Sequence, residues 1–304
     1  MYREKFKPVD FVAKLSSTFK CVQLYALLVV IFVLPCAANR VVRDQLGRTV
    51  TVPDHPHRIV CLMPSVTDAV FALGAGDDVV AVSDYSEYPA EAKSKPSVGS
   101  LLNPSMETIV ALHPDLAIGS SDFNRLKGVD QIENYGIPVF MVRSHGIEGI
   151  YESLLAIGDA LNRATTAQVV VRKLRDRVEA VQARVAGLPR VHVFMLIWPE
   201  PVTTIGKRAF ITEVIAAAGG ESITGNLNED WPVISFESLV TLKPKHLLLV
   251  HDGRVFFNDL AKRPGWEVLP AIKNHSVYYT DDRLYSPSPV AIDALEDLAK
   301  EFHP

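Results

Sequence analysis

Cysteine is nearly absent from this chain of 304 residues: Cys21 and Cys36 fall in an N-terminal stretch patterned like a leader, and Cys61 stands alone in a strand-like run. No disulfide can form within the part that follows the leader. Cys61, with nothing near it to activate a thiol, reads as a small buried hydrophobe. Basic runs interleaved with aromatics are missing too, so nucleic acid is not an expected partner. HExxH, GxSxG, Walker and CxxC motifs are all absent, and "ALGAGDD" lacks the spacing of a dinucleotide fingerprint, which argues against an enzyme. No low-complexity tract, heptad array or short-period repeat occurs. His55 and His57 lie in a proline-rich lead-in and read as solvated loop histidines rather than ligands of a bare metal ion.

The leader itself is well marked. Arg3, Lys5, Lys7, Lys14 and Lys20 precede the apolar run "LYALLVVIFVL", and the small residues "CAA" follow before Asn39. That order predicts a signal peptide over 1–38 with cleavage after Ala38. The run is shorter than the roughly 20 residues a membrane span needs, so a retained anchor is the alternative reading rather than the first. Acylation at Cys36 is a further alternative, weakened by Pro35 where a small residue is usual. Export to the periplasm or beyond is expected either way. Residues 1–38 hold five of the 31 Lys and Arg and two of the 35 Asp and Glu, so the remainder carries a net charge of about −7.

After the leader the length suits two compact units. From Arg58 short β-branched runs alternate with helical stretches, the signature of a parallel α/β sheet. "RIVCLM", "DVVAVS", "DLAIGS" and "IPVFMV" read as strands, with Ser65 as an N-cap of "VTDAVFALG" and Asp68 three residues on. Helices are expected over 106–112 and 124–135. "VHVFMLI", "FITEVIAAAGG" and "VYYT" repeat the rhythm, and Ser288 and Pro289 are expected to cap and open a last helix striped by Ile292, Leu295, Leu298 and Phe302. Between the halves, Val170, Val171, Leu174, Val178, Val181 and Val185 recur at helical spacing over 165–186, with Gly187 and Pro189 beyond. A helix of that length spans about 33 Å, enough for a stiff strut between two lobes. The expected organisation is a leader over 1–38, an N-terminal lobe over 39–163, a linking helix over 164–187 and a C-terminal lobe over 188–304.

One segment occurs twice. "SMETIVALHPDLAIG" from Ser105 and "SFESLVTLKPKHLLL" from Ser235 align without a gap, 130 positions apart. In each, a serine can cap a short helix that must end before Pro114 or Pro244, and a strand follows. Glu107 and Glu237 fall in the first helical turns, where the helix dipole favours an acid by about 0.3–1 kcal/mol. Capping chemistry and shared ancestry of two lobes explain such acids; so does docking to a two-fold symmetric, arginine-bearing partner.

The ordered set of segments resembles a known family. "DQLGRTVTVPDHPHRIVCLMPSVTDAVFALGAGDDVVAVSDYSEYP" with "VGSLLNPSMETIVALHPDL", then "TTIGKRAFITEVIAAAGGESI" with "WPVISFESLVTLKPKHLLLV", is similar to the periplasmic substrate-binding proteins of ABC importers for vitamin B12, iron siderophores and haem, most of all to the vitamin B12 binders. The resemblance covers essentially the whole chain after the leader. It implies an α/β fold of two Rossmann-like lobes with mainly parallel sheets, joined by one long rigid helix, with a ligand held between the lobes and little hinge motion. It also implies an ABC permease dimer in the membrane as partner, met by Glu107 and Glu237, and a monomeric receptor with no cofactor and no catalysis.

On the same resemblance Tyr85, with Tyr88 nearby, is expected against the ligand, together with Trp198 and Trp231 on the second lobe. Flat rings suit a corrinoid or porphyrin macrocycle, since they bury much apolar area at small entropic cost. Asp282, Arg283 and Tyr285 occupy the loop where the family has acidic and basic ligand contacts, although they do not align cleanly. Two departures bear on the ligand. Leu101 stands where the vitamin B12 binders carry a tryptophan, and Ser100 stands where haem binders usually carry a tyrosine iron ligand, just after the equivalent of Gly99. The expected ligand is therefore cobalamin or a related corrinoid, with a ferric siderophore or haem as the alternative.

Overall fold

An antiparallel hairpin, β1 (Asn39–Arg43) and β2 (Thr49–Pro53), opens the fold seen in the computed structural model, and its alternation buries Val42, Val50 and Val52. The structure describes residues 38–100, 103–121, 126–250 and 253–304, with backbone alone at 126–127 and 253–256. The signal peptide expected over 1–38, all but Ala38 of it, and Leu101 therefore lie outside the described residues. Asp44, buried at the hairpin turn, accepts from the backbone of Leu46 and Arg48 and pairs with the Arg48 guanidinium at 2.8 Å.

The first lobe then runs β3 (Ile59–Cys61), α1 (Pro64–Ala72), β4 (Val79–Val82), α2 (Met106–Ala111), β5 (Leu116–Ser120), α3 (Leu126–Glu133), β6 (Val139–Val142) and α4 (Gly146–Ala160). Its strands pair in the order β4-β3-β5-β6, all parallel, and their apolar runs are buried from both faces. The long helix α5 (Ala164–Val185) follows.

The second lobe comprises β7 (Val191–Met195), β8 (Trp198–Pro199), β9 (Val202–Thr203), α6 (Phe210–Ala217), β10 (Gly220–Ser222), β11 (Val233–Ile234), α7 (Phe236–Leu242), β12 (Leu247–Val250), α8 (Gly253–Lys262), α9 (Pro270–Lys273), β13 (Val277–Thr280) and α10 (Val290–Phe302). Its main sheet has the order β10-β7-β12-β13, again all parallel. Within each lobe the strand sequence is thus second, first, third, fourth, and the duplicated segment supplies the helix and the third strand in both. The two lobes are topological copies.

Local chemistry explains the copies. Ser105 accepts from the Thr108 N–H at 3.3 Å and Ser235 from the Ser238 N–H at 3.1 Å, each cap contributing about 1 kcal/mol. The prolines at 114 and 244 push the residue ahead of them out of the right-handed helix. His113 and Lys243 accordingly take left-handed conformations, with φ of 45° and 48°.

Two other caps expected from sequence are corrected. Helix α1 starts with Pro64 at its first position, which needs no N–H, so its N-cap is Met63 and Ser65 is buried inside the first turn. The N-cap of α10 is Pro289, and the Ser288 hydroxyl is turned to Asp68 instead.

Of the stripe read from sequence on α5, Val171, Leu174, Val178, Val181 and Val185 are buried and Val170 is half-buried, while Ala167 joins the buried face, each large buried side chain worth about 1.5–3 kcal/mol. Its partners, however, come from both lobes: α4 on one side, α6 and α10 on the other. One apolar core runs from Val42 and Ile59 through α4 and α5 to Val193, Leu248 and Phe302. The helix is therefore a shared wall rather than a free strut, and an apolar junction of this kind resists hinge motion. Gly158 on α4 shows how close the packing is, since a β-carbon there would lie 2.4 Å from Ala167 Cβ. Gly158→Val should lower stability by about 2–3 kcal/mol by overpacking, measured as an earlier urea midpoint; an unchanged midpoint would contradict the shared wall.

Candidate functional site

In parallel α/β sheets the side chains that can meet a ligand gather beyond the carboxyl ends of the strands, because the loops there are free of the helices that cover the faces. A cavity of about 300 Å³ lies at that edge, lined by Met63, Pro64, Ser65 and Asp68 after β3, by Tyr85, Glu87 and Tyr88 after β4, and by Asp282, Tyr285, Ser286 and Pro287 after β13. Both lobes therefore build its walls. Among the sequence-predicted residues, Tyr85, Tyr88, Asp282 and Tyr285 come together here.

Tyr85 is presented unusually. It has φ of 65°, a left-handed conformation rare for an aromatic residue, and is 79% exposed. The loop is braced from below by buried hydroxyls, Thr67 to Ser86 at 3.1 Å and Ser86 to Ser83 at 3.3 Å, and from the side by the Ser97 hydroxyl donating to Asp84 at 2.5 Å. The second lobe has a matching buried set at the ends of its first two strands, with Thr204 to Thr224 at 3.1 Å and Thr224 to Ser222 at 3.2 Å.

Across the cleft the Tyr88 hydroxyl donates to Asp282 at 3.0 Å. Burial first, and then the Asp282 carboxylate, raise the Tyr88 phenol to about 12, so it remains a donor at neutral pH. Burial alone raises Tyr285 to about 12. Arg283 faces away from the cavity: its guanidinium is bound by Asp281 and Asp297, which hold its pKa above the ordinary value.

The sequence marks Asp68 only as part of a helix start. In the fold it is 4% exposed, its Oδ2 accepts from Ser288 at 2.6 Å with Ser286 at 3.1 Å, and its Oδ1 has no partner among the described residues. Burial raises its carboxyl to about 7, against the opposing effect of the two serine donors, and Asp282 adds a smaller upward push. No signal in the sequence could have found this contact, because its partners lie 218 and 220 residues away.

The tryptophans are placed differently from the tyrosines. β8, β9 and β11 form a small antiparallel sheet in which Trp198 and Val233 flank Thr203 in one row. Trp198 is 60% and Trp231 44% exposed, and neither lines the tyrosine cavity. Glu107 and Glu237 are exposed in the first turns of α2 and α7, and no described side chain pairs with either carboxylate. His57 meets Asp78 at 3.0 Å, and among the described residues no three His, Cys, Asp or Glu side chains converge to hold a metal ion.

Comparison with known proteins gives this geometry a context. Residues 59–284 match the periplasmic binding protein family. The chain is 30% identical over 269 residues to an uncharacterized ABC transporter substrate-binding lipoprotein, YvrC, of Bacillus subtilis strain 168, covering 86% of this chain and 84% of that one. It is 26% identical over 257 residues to the vitamin B12-binding protein of Vibrio parahaemolyticus, covering 84% and 92%. Its fold matches that of the periplasmic heme-binding protein RhuT from Roseiflexus sp. RS-1 in apo form, with a TM-score of 0.73 and 26% identity over 81% of this chain and 98% of that one. A family match that runs from β3 to the Asp282 loop takes in both parallel sheets and most of the cavity between them: the chain belongs to the periplasmic binding protein family, of the ABC transporter type.

Proposed function

We propose that the chain is an exported, monomeric solute receptor that captures a corrinoid between its two lobes and hands it to an ABC importer permease in the membrane. The observation that carries the ligand class is the chemistry of the cavity. Among the described residues, three carboxylates, Asp68, Glu87 and Asp282, share it with three tyrosines, and no Lys, Arg or His lines it. A corrinoid rim is set with primary amides, whose N–H groups suit carboxylate and phenol oxygens. A haem edge carries two propionates, which like charge would repel. The exposed rings of Tyr85 and Tyr285 offer the macrocycle flat apolar area, and Trp198 and Trp231 offer more on the second lobe.

Delivery is assigned to Glu107 and Glu237. Each is exposed, unpaired among the described residues and set at the same point of a duplicated lobe, as a two-fold symmetric permease bearing arginines requires. The work of such a receptor is binding and release, with neither catalysis nor a resident cofactor.

Titrating the purified chain with cyanocobalamin, haem and ferric siderophores while following tryptophan fluorescence tests the reading. Cyanocobalamin should quench saturably at one equivalent, and haem should bind at least about tenfold more weakly. Silence toward cobalamin with tight haem binding would replace the corrinoid by the haem reading.

A further inference from the structure

Asp68 sits on the first helix of the N-terminal lobe, yet its bonded oxygen is held by the far end of the chain. Ser288 donates to Oδ2 at 2.6 Å and Ser286 lies 3.1 Å from the same atom. Ser286 also lies 3.1 Å from the Ser288 hydroxyl, so its single proton serves one of the two acceptors at a time. These serines end the segment that forms the C-terminal lobe's side of the cavity, Asp282 to Pro287. The front of that segment is fixed independently: Leu284 is fully buried, and Arg283 is bound by Asp281 and Asp297. The back has Asp68.

A carboxylate buried with no cation beside it and its second oxygen unpartnered among the described residues costs stability rather than adding to it. Its retention is better explained by what it positions. We infer that Asp68 is a positioning residue for the cavity: its carboxylate latches residues 285–288 of the C-terminal lobe onto α1 of the N-terminal lobe and so fixes where Tyr285 stands opposite Tyr85 and Tyr88. The inference rests on reading this cavity as the ligand site.

Amide hydrogen exchange of the ligand-free full chain tests the latch without any ligand. In Asp68→Ala, exchange over residues 284–290 should quicken by about tenfold or more, the equivalent of losing a hydrogen bond to a charged group, while β12 and α5 keep wild-type rates. Ser286→Ala with Ser288→Ala removes the donors but leaves Asp68, and should give the same local result even if Asp68→Ala does not fold. Asp68→Asn, which keeps an oxygen able to accept from Ser288, should restore most of the protection. Cyanocobalamin should leave the two alanine variants about tenfold faster than the wild type. Unchanged exchange over 284–290 in the double serine variant overturns the latch, whatever the ligand is. Faster exchange there, in a protein whose wild type binds no cobalamin, upholds the latch and overturns the corrinoid reading instead.

Discussion

Replacing both Glu107 and Glu237 with lysine is expected to cut uptake of labelled cobalamin by about a hundredfold in proteoliposomes carrying the cognate importer, with the ligand affinity of the isolated receptor unchanged. Each reversal removes one charge-assisted contact and sets like charges together, so the pair should act more strongly than either change alone. The fold should survive. Both side chains are exposed and unpaired among the described residues, and the loss of a favourable first-turn acid costs only about 0.3–1 kcal/mol per helix. Fluorescence titration and uptake on the same preparation separate the two effects. Uptake at the wild-type rate would leave these acids with a capping role alone.

Stability should fall as pH rises from about 4 to about 7 by more than the exposed carboxylates explain, and Asp68→Asn should remove that excess. The Asp68 carboxyl stands at about 7 in the folded protein, against about 3.9 in an unfolded chain. Between those values the folded state holds a proton that the unfolded state has lost, so each step upward in pH favours unfolding. Below about pH 4 the group is protonated in both states and the penalty is absent; above about pH 7 it is fully present, at about 4 kcal/mol. Asp282 faces the same carboxyl, and its charge works in the same direction, while the Ser286 and Ser288 donors work against it. Urea unfolding of both proteins at pH 4.5 and 8 measures the effect. The stability difference between wild type and variant should shift by several kcal/mol toward the variant at the higher pH, and parallel profiles would contradict a buried carboxylate. Such a cost is ordinary where a site residue is kept for position rather than stability.

Much of this fold is legible in the sequence, and the reasons are local. The strands announce themselves as buried β-branched runs, the stripe on α5 by its spacing, and the caps at Ser105 and Ser235 by a serine ahead of a short helix that proline must end. The failures share one cause. Ser65 and Ser288 carry the same local signal as true caps, but Pro64 shifts the start of one helix, and Asp68 claims the other hydroxyl from 220 residues away. The long helix joining the lobes is legible from its spacing, but local patterns cannot say what a helix packs against, and only the fold shows both lobes closing on α5. At the site, Tyr85 and Tyr88 stand out only through the family resemblance of "DYSEYP", and the fold gathers both at the cavity. The acidic character of the cavity is not legible, because Asp68 and Glu87 come together only through the pairing of β3 with β4, and Asp282 joins them from the other lobe.

A crystal structure of the chain grown with cyanocobalamin tests the central claim most directly. The corrin ring should lie between the lobes, in contact with Tyr85 from one and Tyr285 from the other, with its amides toward Asp282 and Glu87. A corrinoid bound away from this cleft, or a cleft that stays empty at saturating cobalamin, would contradict it.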